Sequence, residues 1–324
     1  MAALEMSELY SHLGEDLRYV ERRLQERLHS PDHRLEGAAT HLLSAGGKRL
    51  RPVFVLLAGQ FGDYDRGRLG DVAVALELIH MATLVHDDVI DHADTRRGQP
   101  TVKAQFGNQM AMVAGDYIFA QALETLSRLP DTRAHRILSR AIWRMVEGEI
   151  EQIRDLYRMD QTLLAYLRRI RRKTALLIEM SCTLGAMATG ADMAVVRALR
   201  RYGYGTGMAF QVIDDILDFT ATEERLGKPV GNDLRQGNLT APVLFAMRDP
   251  FVRKHLEGCL GFGSERYNVD GAVDLVLSGD GVAQAQRLAM LYLVKARASL
   301  APLADGMAKD ALLSLADFVG QREY

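Results

Sequence analysis

Apolar side chains return at helical spacing along most of the chain. Leu4, Leu9, Leu13, Leu17, Val20, Leu24 and Leu28 recur every three to five residues, which predicts one long amphipathic helix stopped by Pro31. A helix over roughly 34–45 is then expected to close at Gly46-Gly47, and another over 52–61 to begin with Pro52 in its first turn. Further helical stretches fall at about 69–92, 109–128, 131–156, 160–189, 192–222 and 232–247, with more from about 270 onward. Alternating, strand-like patterns are scarce, and the Gly-rich stretch 259–280 has no clear period. Long helices in such number predict an all-α bundle with a buried central layer.

Composition narrows the function classes. With 324 residues and 48% hydrophobic content the chain can bury a large core. Length alone fits two domains. However, there are only 8 prolines and no Pro/Gly/Ser-rich linker, so a single domain over 1–324 is expected. The net charge of -2 offers no global field for nucleic acid or an anionic membrane. Cys182 and Cys259 have no metal-ligand spacing and read as ordinary buried thiols of a reducing compartment. The charged N-terminal segment lacks the apolar core of a signal peptide. No run approaches the ~18 uninterrupted apolar residues of a membrane span. A soluble, cytoplasmic protein follows, with at most peripheral membrane contact.

Two acidic clusters stand out. Asp87, Asp88 and Asp91 lie in LVHDDVID; Asp214, Asp215 and Asp218 lie in QVIDDILDF, 127 residues later. Acids are rarely bedded among Val, Ile and Leu unless something positive meets them. On a helix, Asp87 and Asp91 share a face, as do Asp214 and Asp218, with Asp88 and Asp215 about 100° round. A solvated helix end would carry such a pair at a cost of only ~0.2–0.5 kcal/mol. In a half-buried cleft the same pair repels by roughly 3 kcal/mol and needs a cation. The apolar flanks favour the cleft, and carboxylate-only ligands select a hard ion such as Mg²⁺. His86 beside Asp87 reads as structural.

Basic motifs accompany the acids. Ser44–Pro52 (SAGGKRLRP) joins two helices, with glycines for a tight turn, Lys48 as a point charge and Arg51 as a planar fork. A helix C-cap with dipole-favoured cations accounts for Gly47 and Lys48 but not for Arg51. Arg96 and Arg97 follow the first cluster, where they complement a helix end or meet an anion held by metal. In the run LRRIRRKT most charges read as a solvated surface, while Lys173 and Thr174 adjoin apolar sequence and are better placed to face inward. Lys228, in the GKPVGND loop, could swing over bound phosphate. No interleaved aromatics suggest nucleic acid.

In this order, GGKRLRP, LVHDDVIDHADTRRG, the Lys-Thr pair, QVIDDILDF and GKPVGNDL resemble the trans-isoprenyl (polyprenyl) diphosphate synthase family. The resemblance covers about residues 40–245 and, more loosely, both ends. It implies an isoprenoid-synthase-type bundle of long helices around a central cavity. An allylic diphosphate is then held between the two acidic helices on three Mg²⁺. The metal residues carried over are Asp87, Asp88, Asp91, Asp214, Asp215 and Asp218. Lys48, Arg51, His80 and Arg97 match the isopentenyl diphosphate site. Arg96, Lys173, Thr174, Gln211 and Lys228 match contacts to the allylic diphosphate. Asp87, Asp91, Arg96, Lys173 and Asp214 are the residues expected to carry catalysis. The wording of RPVFVLLAGQFGDYD, VEGEIEQIRD and LRRIRRKTALLIEM is most like a branch that makes heptaprenyl diphosphate, for the menaquinone side chain, and works as the catalytic one of two components. The partner is thus a smaller non-catalytic subunit, with a homodimer as the alternative.

The chemistry agrees with the residues. Cations stabilise a diphosphate leaving group, the allylic C–O bond ionises, and the double bond of isopentenyl diphosphate attacks. No Ser/His/Asp or Cys/His constellation is needed, and none is seen. The resemblance also runs the growing tail down the first acidic helix. Ala82 and Thr83, one turn before Asp87, are small where a bulky residue resembles a short-product stop; Ile79 and Leu78 follow, and a long chain is expected. Trp143 reads as a core residue. Hexaprenyl or octaprenyl products remain alternatives. A class I terpene cyclase would carry a different second motif, and a non-catalytic scaffold would have no use for both acid clusters.

Overall fold

A computed structural model of the chain describes residues 6–96, 98–129, 131–222, 229–260 and 268–322. Among these residues the fold is all-α, as the periodicity predicts. The one β pairing joins Thr95–Arg96 to Gln99–Pro100, antiparallel and two residues long on each side. The chain folds into two compact units. One comprises Met1–Ser139, Leu177–Gly203 and Pro302–Ser314; the other comprises Arg140–Leu176, Tyr204–Ala301 and Leu315–Tyr324.

In the first unit the helix Arg66–Ile90 is the organising element. Asp65 caps it, its side chain accepting the Arg68 N–H. Apolar residues cover nearly every side of this helix, and it packs on Gly14–Leu28, Leu50–Gly59 and Asn108–Ser127. By length and composition it could cross a membrane, but 72% of its most apolar window is buried inside the protein. That is the burial of a core helix. The expected N-terminal helix is two helices, Met6–His12 and Gly14–Leu28. They part at Leu13, whose side chain is buried, next to the poor helix former Gly14.

The second unit departs from expectation in three places. The stretch expected as one helix over 160–189 contains a π turn, Arg171–Ala175, between Leu163–Ile170 and Leu176–Ala188. Glycines on both sides let neighbours close on that turn. A Cβ on Gly148 would lie 2.8 Å from Arg172 Cβ, and one on Gly207 would lie 2.7 Å from Ala175 Cα. The stretch 232–247 is two short helices, Asn232–Arg235 and Ala241–Ala246. Gly237 (φ 83°) breaks it, and Pro242 starts the second helix. Trp143 is exposed, not core: on helix Thr132–Asp155 it is Ala134, Leu138, Ala141, Met145, Gly148 and Asp155 that are buried. Cys182 is buried, while Cys259 is only half-buried.

Candidate active site

The last turn of helix Arg66–Ile90 presents the first acidic cluster, and its three carboxylates part company. Asp88 is buried, and its Oδ1 accepts both Nε and Nη2 of Arg96 at 2.8 Å. Burial pushes the Asp88 carboxyl upward, and Arg96 opposes that shift. Asp87 is half-buried; Asp91, the residue past the helix, is exposed and donates its N–H to the Asp87 carbonyl at 2.8 Å. Arg96 is delivered by the small β pairing, so the hairpin after the cluster braces its middle acid. Arg97 lies outside the described residues.

Upstream on the same helix, Leu78, Ile79 and Ala82 are buried. Thr83 is half-buried, with its hydroxyl donating to the His80 carbonyl at 2.8 Å. His80 is itself half-buried. The GGKRLRP segment turns between helices His33–Ser44 and Leu50–Gly59 with Gly46 at φ 72°, Gly47 at φ 151° and Arg49 at φ 46°. This left-handed path exposes Lys48 and leaves Arg51 half-buried. Arg49 goes inward: Nε and Nη2 reach Glu21 at 2.9 and 3.0 Å, and Nη1 reaches the buried Glu77 at 3.4 Å. The motif thus mixes one structural arginine with the two cations expected to bind substrate.

The second cluster lies on helix Met193–Thr220 in the other unit and is partitioned in a similar way. Asp215 is buried; Tyr166 donates its hydroxyl to Oδ2 at 2.5 Å, and Gln211 donates Nε2–H to Oδ1 at 2.8 Å. Burial, with Asp233 nearby, pushes the Asp215 carboxyl up to about 8. Thr174 extends the relay, donating to Gln211 Oε1 at 2.6 Å. Lys173 pairs with Glu149 at 2.9 Å. Asp218 is buried and accepts the Asp233 N–H at 3.0 Å, while its carbonyl takes the Gly231 N–H at 2.7 Å. Asp214 is half-exposed and pairs with Nη1 of Arg322 at 2.8 Å. Lys228 lies outside the described residues.

Tyr166, Glu149, Asp233 and Arg322 are contributors that sequence reading missed. Tyr166 is 49 residues from the aspartate it serves, and no spacing rule connects them. Among the described residues no three His, Cys, Asp or Glu side chains converge into a ready cage for a metal. The more open carboxylates of Asp87, Asp91 and Asp214 are hard oxygen donors. Each by its chemistry suits a hard ion that keeps waters and shares its shell with phosphate oxygens.

An all-α fold with two acidic clusters and accompanying cations defines a trans-prenyltransferase of the isoprenoid-synthase type. The Polyprenyl synthetase family model matches residues 32–275, so the chain belongs to the polyprenyl synthetase family. It is 49% identical over 315 residues to heptaprenyl diphosphate synthase component 2 of Bacillus subtilis, covering 97% of this chain and 90% of that protein. To the protein of the same name in Geobacillus stearothermophilus it is 50% identical, covering 99% and 100%. The crystal structure of heptaprenyl diphosphate synthase from Staphylococcus aureus superposes with a TM-score of 0.92 at 42% identity, covering 99% of each chain. A polyprenyl synthase from Caulobacter crescentus, complexed with calcium and isoprenyl diphosphate, also gives 0.92, at 33% identity and 99% of each chain.

Proposed function

We propose that this chain is the catalytic component of a two-component heptaprenyl diphosphate synthase. It extends farnesyl diphosphate by four isopentenyl units, for the side chain of a menaquinone. The observation that carries this reading is the near end-to-end identity of about half the residues with two proteins called component 2. The unbroken acidic and basic motifs support a catalytic role. The family match spans residues 32–275, in both compact units, which supports one functional domain. A homodimer is the alternative assembly, and hexaprenyl or octaprenyl the alternative products. The cytoplasm is the proposed location.

Asp87, Asp91 and Asp214 hold the ions, and Asp88, Asp215 and Asp218 support them from within the protein. Bound Mg²⁺, in our reading three per site, would supply the positive charge that makes diphosphate a competent leaving group. Arg96, Lys173, Thr174, Gln211 and Lys228 orient the allylic diphosphate. Lys48, Arg51, His80 and Arg97 hold isopentenyl diphosphate. Ala82 and Thr83, with Ile79 and Leu78 below, leave room for the lengthening tail.

Mass analysis of products from farnesyl and isopentenyl diphosphates with Mg²⁺, with and without the partner component, tests the proposal. A seven-unit product formed with the partner supports it. A cyclised hydrocarbon without isopentenyl diphosphate, or no turnover under either condition, overturns it.

A further inference from the structure

The turn that carries Lys48 and leads into Arg51 has a backbone path that needs outside support. Gly46 and Gly47 take positive φ at little cost, but Arg49, at φ 46°, carries a side chain in the left-handed region. A residue so placed persists only where its surroundings over-determine it. Arg49 also stands just before helix Leu50–Gly59, and its side chain does not cap that helix start. Contacts from elsewhere in the first unit therefore hold the turn.

They are of two kinds. The Arg49 guanidinium reaches Glu21, Glu77 and the Leu43 carbonyl, the last at 3.2 Å. That ties the turn to the core, but through a long side chain whose several torsions leave the peptide plane able to rotate. The plane itself is held by Tyr10. From helix Met6–His12, 38 residues away in sequence, the Tyr10 hydroxyl donates to the Lys48 carbonyl. This carbonyl belongs to the rigid peptide joining Lys48 to Arg49, so its direction sets ψ of Lys48 and φ of Arg49 together. Tyr10 is half-buried, while Lys48 is exposed. Burial, with Glu77 nearby, pushes the Tyr10 phenol up to about 12, so the hydroxyl keeps its proton and remains a donor.

We propose that Tyr10 is a positioning residue for the isopentenyl diphosphate cations: it fixes the Lys48–Arg49 peptide and thereby the directions in which Lys48 and Arg51 present their charges. This rests on the reading of Lys48 and Arg51 as that site. The phenol acts through the backbone of the turn and needs no contact with substrate. It divides the work with Arg49, which anchors the turn to the core.

Steady-state kinetics of the full-length chain, assayed with the partner component, test the proposal in Tyr10→Phe, Lys48→Ala and the double variant. The KM for isopentenyl diphosphate is expected to rise by about three- to tenfold in Tyr10→Phe, the scale of one neutral hydrogen bond. The KM for farnesyl diphosphate and the thermal melt should stay as they are. Added to Lys48→Ala, the same substitution should raise KM by less than it does alone, because one of the cations it positions is gone. If Lys48→Ala raises the KM for isopentenyl diphosphate and Tyr10→Phe does not, the site reading stands and this inference is wrong. An equal rise for both substrates, a lowered melt, or an undiminished effect in the double variant also overturns it, since each marks a merely structural role. If Lys48→Ala leaves that KM unchanged, the reading of the site fails and takes this inference with it.

Discussion

The guanidinium of Arg322 sits 2.8 Å from a carboxylate oxygen of Asp214 and 4.1 Å from the ring centre of Phe210. A residue at the far end of the sequence thereby neutralises the first acid of the second cluster, and its side chain is almost wholly buried in doing so. A divalent ion taking that oxygen must compete with the arginine. Arg322→Gln should therefore tighten Mg²⁺ binding to the substrate-free protein by roughly three- to tenfold, the scale of one partly exposed ion pair. Isothermal titration with Mg²⁺ measures it; unchanged affinity would show that the pair and the ion do not share Asp214.

Asp87 is half-buried and sits at the end of its helix, so removing its carboxylate should cost little stability. Asp87→Ala is expected to lower turnover by about 100- to 1000-fold or more while the melting temperature hardly moves. A near-normal rate would sink the assignment of the first cluster to ion binding.

Arg49 makes the opposite prediction. Its replacement by Met would leave Glu77 buried without its guanidinium, at a cost of about 3–5 kcal/mol. Urea denaturation should show that loss, with the KM for isopentenyl diphosphate unchanged in the protein that remains folded. A rise in KM with normal stability would move Arg49 into the substrate site beside Lys48 and Arg51.

Tyr166→Phe deletes a buried hydroxyl that donates to Asp215. With the Asp215 carboxyl pushed up to about 8, the bond joins neutral groups near pH 7 and is worth ~0.5–1.5 kcal/mol. Stability should fall by about that amount, and turnover should fall too, because the Gln211–Thr174 relay hangs on the same carboxylate. Wild-type stability in this variant would mean that water replaces the hydroxyl.

Chain length separates Ala82 from Thr83. Ala82 is buried, so a phenylalanine there overpacks the core by about 1–3 kcal/mol. Thr83 is half-exposed and tolerates bulk better. Both substitutions to Phe should shorten the product in mass spectra, with Thr83→Phe the more stable variant. Unaltered products from both would remove the tail from this helix.

The acid clusters were legible because carboxylates amid apolar residues violate the ordinary rule of burial, and that violation is local in sequence. Their internal division was not. Whether Asp88 or Asp87 turns inward depends on Arg96, delivered by a hairpin eight residues on. The fate of Asp215 depends on Tyr166, on another helix altogether. Helix positions followed from period, but the π turn at Arg171–Ala175 did not, since glycines on neighbouring helices permit it. Trp143 was misplaced for a related reason. An apolar residue at helical spacing looks the same whether its own chain covers it or leaves it exposed.

The π turn has one more consequence. A π turn closes with an i→i+5 bond and so takes in one residue more than an α turn. Leu176–Ala188 is buried on nearly every side, down to Glu179, Ser181 and Thr183. Deleting one residue from 171–175 would close the turn to ordinary α geometry and leave the phase of that helix as it is. What such a deletion would move is Lys173 and Thr174, which lie within the turn. The length of this segment can therefore change by one residue at the cost of the Lys173–Thr174 geometry alone.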